Sequence, residues 1–278
     1  MDHYNSYQLK HFAGIVADTM GLTLPESYAP GIKWVSDILK ARAGGTCDKA
    51  VLYHADAVGM YMWQQYTDLF APVYRNTTLS VPFVSTVSSF TPVAHASMYT
   101  GLDPKGHGIQ GYVRPQLECS TLFDVLIAQG KRVAILAQDD STFLHIFAGR
   151  KLDYFEEPNA ICIQEKALEL IDSDKYDVIS IHTFDYDNAA HYYGPESKEG
   201  INAIALEADG FERIASLIRS KNDGRRTLLT YSPDHGQHPV GSISDEPAAP
   251  GVDTSKFKGM HGTKKIEVMN ILHFFGTI

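Results

Sequence analysis

Three apolar runs in this chain end in the same way, and that repetition restricts its fold more than any other feature. "KAVLYHA" stops at Asp56, "YDVISIHTF" leads to Asp187, and "RRTLLTYSP" stops at Asp234 and His235. Short runs of this kind, apolar at consecutive positions, read as strands buried on both faces. "KRVAILAQ" is a fourth such run, and "TLSVPFVSTVSS" is extended. Helical patterns lie between them: residues 7–20, 29–42, 60–70, 92–100, 120–130, 159–172 and 196–220, with a last helix over 264–276. Strands that alternate with helices form a mostly parallel sheet covered on both sides. In such sheets ligands bind beyond the carboxyl ends of the strands. The polar strand ends are therefore expected to converge, although they lie far apart in sequence.

Composition excludes several classes of function. A length of 278 residues with 44% hydrophobic content suits one large α/β domain. The formal net charge of -9 and the lack of any dense Lys/Arg run argue against a nucleic-acid polymer as partner. Cys47, Cys119 and Cys162 are scattered and odd in number, so neither a disulfide framework nor a cysteine zinc site is expected. Reduced thiols fit a cytoplasmic protein. The opening "MDHYNSYQLKHFAGIVADTMGL" lacks a basic segment followed by an unbroken apolar one, and no stretch is long enough to span a bilayer. Secretion and membrane attachment are not expected.

The polar residues have the chemistry of metal ligands. In "DYDNAAHYYGP", Asp187 and His191 are four apart, which on a helix places them on one face; Asp185 is a rival ligand. "SPDHGQH" supplies Asp234 and His235, and "GMHGT" supplies His261. Any one of these is common by chance. Together with Asp56 they form a set of oxygen and imidazole ligands without thiolate, suited to zinc, or to manganese. The set is too large for one tetrahedral catalytic zinc and about right for two metals. In "SSFTPVAHASMYTG", Thr91 before Pro92 fits an N-cap followed by the first helical residue. The amides of that turn favour an anion, and the threonine hydroxyl is a candidate nucleophile. Ser88 and Ser89 read as turn residues.

"TPVAHASMYTGLDPKGHGI" resembles the nucleophile segment of the nucleotide pyrophosphatase/phosphodiesterase family, in the alkaline phosphatase superfamily. "DNAAHYYGP", "SPDHG" and "MHGT" are similar to later motifs of that family, in the same order. The resemblance implies an alkaline-phosphatase-like three-layer α/β/α sandwich with a mostly parallel central sheet. It implies a phosphoric ester hydrolase with Thr91 as nucleophile and a phosphoryl-threonine intermediate. It also implies that Asp56, Thr91, Asp234 and His235 hold one divalent metal, and that Asp187, His191 and His261 hold the other. His95 and His107 belong to the motif as structural histidines. Where the family's phosphodiesterases commonly carry an asparagine, this chain has Tyr112, with Arg114 two residues on. These two are the expected substrate-binding residues, and a small-molecule phosphate ester is the expected partner. The departure leaves phosphomonoester and phosphonoacetate-type phosphonate hydrolysis open beside diester hydrolysis, with an inactive anion-sensing protein as the non-enzyme reading. Residues 1–278 are expected to form a single catalytic domain, on which residues 1–48 pack as a helical extension, lid or dimer contact. A homo-oligomer stays open. Loops 110–118, 138–158 and 236–258 are expected to shape the substrate pocket.

Overall fold

A computed structural model describes residues 4–221, 223–240 and 254–278. Its strands, in chain order, are β1 (Tyr7–Gln8), β2 (Lys49–Ala55), β3 (Leu79–Val84), β4 (Val133–Gln138), β5 (Asp153–Glu157), β6 (Val178–Thr183), β7 (Thr227–Tyr231), β8 (His238–Pro239), β9 (Gly259–Met260) and β10 (Asn270–Thr277). Eight of them form one sheet in the order β1-β3-β10-β7-β2-β6-β4-β5. Only β10 in that sheet runs antiparallel to its neighbours. β8 and β9 form a separate antiparallel pair.

Side-chain alternation explains why both faces are covered. Ala50 and Leu52 of β2 are buried with one apolar cluster, and Val51 and Tyr53 with another. Val133 and Ile135 of β4 divide from Ala134 and Leu136 in the same way. Successive strand residues point to opposite faces, so an unbroken apolar run requires a layer on each side. Helices Phe12–Met20, Lys33–Ala43, Thr91–Thr100, Leu122–Ala128 and Thr142–Phe147 supply the first layer. Helices Ala71–Asn76, Ala160–Ser173 and Lys198–Lys221 supply the second. The architecture is the expected three-layer α/β/α sandwich. No helix among the described residues is long and apolar enough to cross a membrane.

Several elements differ from the sequence reading. The last helix is only Ile266–Met269, and the chain then enters β10. "NILHFFGT" is buried on both faces between β3 and β7, and short apolar runs do not separate helix from strand by period. Residues 7–20 open with β1 and a 3-10 turn, Leu9–His11, before the helix Phe12–Met20 begins. This N-terminal part therefore adds a strand to the sheet as well as helices to one face. The expected loop 138–158 contains the helix Thr142–Phe147 and the edge strand β5. "DYFEE" is too polar to announce a strand.

Neutral histidines are built into the core. His54 bonds Ser232 O and Tyr99 Oη, and His273 donates to Pro233 O. Burial lowers both from 6.5 to about 3. They stay uncharged in the fold and take up protons only when the chain unfolds. Their contribution is complete above the unfolded value and is lost as pH falls toward the folded one. Each is worth on the order of 1 kcal/mol per pH unit over that window. The melting temperature is expected to fall as pH drops from about 7 to about 5. Calorimetry showing no change over that range would contradict this account.

Candidate metal centre and active site

The candidate residues sit just past the carboxyl ends of β2, β3, β6 and β7. After β2 the backbone turns through Ala57, at φ 67, a conformation rare for a residue with a Cβ. That turn aims the Ala57 amide at Asp234 Oδ1 (3.2 Å), which also accepts the His235 amide at 2.9 Å. Ser85, just after β3, donates to Asp234 O at 2.7 Å. Asp187 and His191 lie one turn apart on the helix Asp185–Tyr193, as their spacing predicts. The motif glycines have steric reasons. A Cβ on Gly236 would lie 2.1 Å from Glu267 O, and one on Gly262, at φ +85, would lie 2.6 Å from the Phe90 ring.

Two triads form. Asp56, Asp234 and His235 each place one ligand atom within 4.8 Å of the others, and so do Asp187, His191 and His261. The triads adjoin, because the rings of His235 and His261 stack with centroids 4.1 Å apart. Each histidine spends Nδ1–H on a backbone carbonyl: His191 on Gly259 (2.9 Å), His261 on Ser89 (2.9 Å), His235 on Gly236 (3.2 Å). This turns every Nε2 toward the carboxylates, as in protein metal sites. Burial lowers His235 to about 4 and His261 to about 3, so both are neutral near pH 7.

The carboxylates are held at a cost. Burial, then the charges of Asp234 and Asp187, push Asp56 well above its ordinary value. Burial raises Asp234 too, although His182 opposes the rise. Burial also acts upward on Asp187, but His191, His261 and His235 outweigh it and hold this group low. Asp56 Oδ1 and Asp234 Oδ2 are buried without a hydrogen-bond partner. Crowded carboxylates with orphaned oxygens, opposed by imidazole lone pairs, fit divalent cations.

Thr91 stands beside the first triad. Its Oγ1 lies 3.3 Å from Asp56 Oδ2 and 3.4 Å from His235 Nε2. It is not the N-cap expected from sequence. Phe90 takes that place without a side-chain cap, and Thr91 is the first helical residue. The hydroxyl is therefore not spent on capping. The amides of Val93 and Ala94 both bond Phe90 O, and Pro92 has none. The anion-binding turn expected from sequence thus reduces to the Thr91 amide.

A cavity of about 290 Å³ opens over Thr91, Asp56 and the triad of Asp187, His191 and His261. All three expected loops reach it, through Tyr112 and Arg114, through Asp139 to Thr142, and through Thr254 and Phe257; residues 241–253 lie outside the described residues. Arg114 is already engaged, donating to Asp140 O (3.1 Å) and Oδ1 (3.0 Å) and to Tyr112 Oη (3.3 Å). The rival ligand Asp185 instead accepts the Ala160 amide at 2.9 Å and joins neither triad. His107 lies 3.0 Å from Ser97 Oγ and accepts the Ile109 amide, a structural role. His95 is buried 3.8 Å from Asp234 Oδ2, with neither ring nitrogen bonded. Sequence reasoning missed Gln237, which donates to both Asp187 O and Oδ1, and His182, which lines the cavity floor. Gln237 lies inside "DHGQH", two residues after a singled-out histidine; no signal marked His182.

Known proteins share this fold. Murine ectonucleotide pyrophosphatase/phosphodiesterase 5, solved as an inactive variant with AMP, superposes with a TM-score of 0.55 at 14% identity. The match covers 70% of this chain and 59% of that one. Phosphonoacetate hydrolase from Sinorhizobium meliloti, solved with phosphonoformate, gives 0.51 at 18% identity over 69% of this chain and 57% of the other. GPI ethanolamine phosphate transferase 1 of Neurospora crassa is 33% identical over 94 residues, which are 34% of this chain and 9% of that protein. This chain thus spans under two thirds of each of these proteins. No protein-family profile matches it. The fold is alkaline-phosphatase-like.

Proposed function

We propose that this chain hydrolyses phosphoric esters of small molecules, with Thr91 as nucleophile between two divalent cations, zinc or manganese. The observation that carries this reading is the position of Thr91 Oγ1, not spent on a cap and within 3.4 Å of His235 Nε2, in a cavity lined by Asp56 and by the whole of the second triad. Asp56, Thr91, Asp234 and His235 would hold one ion, and Asp187, His191 and His261 the other. When bound, such ions supply Lewis acidity and offset the charge of the carboxylates and the ester.

The chain's own residues do the rest. Asp56 Oδ2 accepts the Thr91 hydroxyl hydrogen and takes its proton as Oγ1 attacks phosphorus. The bond from phosphorus to the ester oxygen breaks, that oxygen takes a proton from solvent and departs as the alcohol, and the phosphoryl group rests on Thr91. Water then attacks phosphorus and sheds a proton to solvent, and Asp56 gives its proton back to Thr91 Oγ1 as the bond to phosphorus breaks. The relatives support the reaction class, one being a pyrophosphatase/phosphodiesterase and another a phosphonoacetate hydrolase. The test is a panel of phosphate monoester, diester, phosphonate and sulfate substrates, with metal analysis of the same sample. A folded, metal-replete preparation that cleaves none of them overturns the proposal.

Arg114 favours a monoester within that class. Its guanidinium reaches the cavity wall beside Tyr112, and a guanidinium suits the extra charge of a monoester. Arg114→Ala is expected to raise KM for a monoester about tenfold, the worth of one charge-assisted hydrogen bond, and to leave a diester nearly unaffected. Equal loss on both would remove Arg114 as the discriminating residue.

A further inference from the structure

His182, the penultimate residue of β6, lines the cavity and is 1% exposed. Its Nδ1 lies 3.0 Å from Ser141 Oγ. Ser141 Oγ already accepts the Phe143 amide at 3.2 Å, capping the helix Thr142–Phe147. The hydroxyl hydrogen has no acceptor among the described residues other than His182 Nδ1, and a carboxylate faces the other ring nitrogen, so the ring hydrogen is assigned to Nε2. This is the reverse of the tautomer fixed in His191, His235 and His261. His182 Nε2 has no hydrogen-bond partner elsewhere and faces Asp56 Oδ2 at 3.3 Å. The ring cannot swing away, because it stacks on Phe143 with an interplanar angle of 6° and centroids 5.2 Å apart.

We propose that His182 is a positioning residue that donates Nε2–H to Asp56 Oδ2 and so turns the orphaned Oδ1 toward the cation shared with Asp234 and His235. The inference rests on the two-metal reading above. At 3.3 Å the pair is within hydrogen-bond distance but Oδ2 lies off the Nε2–H direction, so the bond forms when the Asp56 carboxylate rotates onto that axis. An Nε2–H cannot also ligate a metal, so His182 acts from outside the ligand set. Its line of support runs from the Phe143 amide through Ser141 Oγ and the imidazole to Asp56. Partners of this kind orient ligating carboxylates, and their loss typically weakens metal binding ten- to a hundredfold.

The test is calorimetric titration with zinc alone, on chelator-stripped protein. Wild type is expected to bind two ions. His182→Phe keeps the stack on Phe143 but lacks the donor. It is expected to weaken one ion about ten- to a hundredfold and leave the other unchanged. His182→Gln, whose amide can donate from nearly the same place, is expected to recover most of that loss. Melting temperatures in chelator equal to wild type show that both variants fold. If wild type binds two ions and His182→Phe matches it at both, or if His182→Gln is no better than His182→Phe, this inference fails alone. If wild type binds no zinc, the two-metal reading fails and carries this inference with it.

Discussion

Thr91→Ala is expected to cut turnover of an aryl phosphate ester by at least about a thousandfold, some 4 kcal/mol of barrier. The protein should meanwhile keep its melting temperature and most of its metal. Those three expectations separate the roles open to this residue. A capping threonine would show up as a stability loss of about 1 kcal/mol with little effect on rate. The helix Thr91–Thr100 has no side-chain cap, so that loss is not expected. A residue that served mainly as a ligand would release metal. Thr91 carries no charge, and Asp56, Asp234 and His235 remain when it is removed. Thr91→Ser keeps the hydroxyl and should retain much of the activity. Turnover by Thr91→Ala at the wild-type rate would exclude it as nucleophile.

Asp234→Asn is the second large effect. Asp234 is fully buried, with Oδ1 accepting two backbone amides and Oδ2 unpaired. An asparagine can keep the Oδ1 bonds, but it then points N–H groups where a cation would sit and removes the charge. One metal equivalent is expected to bind at least about a hundredfold more weakly, with turnover falling in step. The metal-free protein should behave in the opposite sense. Burial raises Asp234 in the fold, so its stabilising contribution is present below the unfolded value of 3.8 and is lost as pH rises through the folded one. At neutral pH the ionised carboxylate is a burden that asparagine lacks. Asp234→Asn in chelator should therefore melt at or above the wild-type temperature. Metal analysis after dialysis and melting curves in chelator check both halves. A variant that retains both ions would contradict the assignment of Asp234.

The sequence displays the layers and the strand ends well, because strands buried on both faces are nearly unbroken apolar runs. "KAVLYHA", "KRVAILAQ", "YDVISIHTF" and "TLLTY" all become strands of the main sheet. It displays β5 and β10 poorly, for opposite reasons. β5 is a polar edge, and β10 is apolar enough to pass for a helix. The triads were legible as a set because their members are residue types with few other reasons to follow strands. What stayed hidden were the groups that hold them. Gln237, Ser141 and His182 act through single hydrogen bonds or close contacts across the fold, and one chain of letters does not show which donor meets which acceptor. Thr91 shows the same limit, since a shift of one residue at the helix start decides whether its hydroxyl is a cap.

The order of assembly follows from the place of β10. Thr91 follows β3, whereas Asp56, Asp187 and Asp234 follow β2, β6 and β7, and β10 is the only strand between those two groups in the sheet. A chain emerging from the ribosome can pair β2, β6 and β7 with one another while β3 has only β1 beside it. Within the sheet, β3 joins the ligand strands only through Asn270–Thr277, slotted in antiparallel between them. A nascent chain stalled before residue 270 would carry every proposed ligand and the nucleophile, held to one another by the bonds of Tyr99 to His54 and Ser180 but not by a continuous sheet.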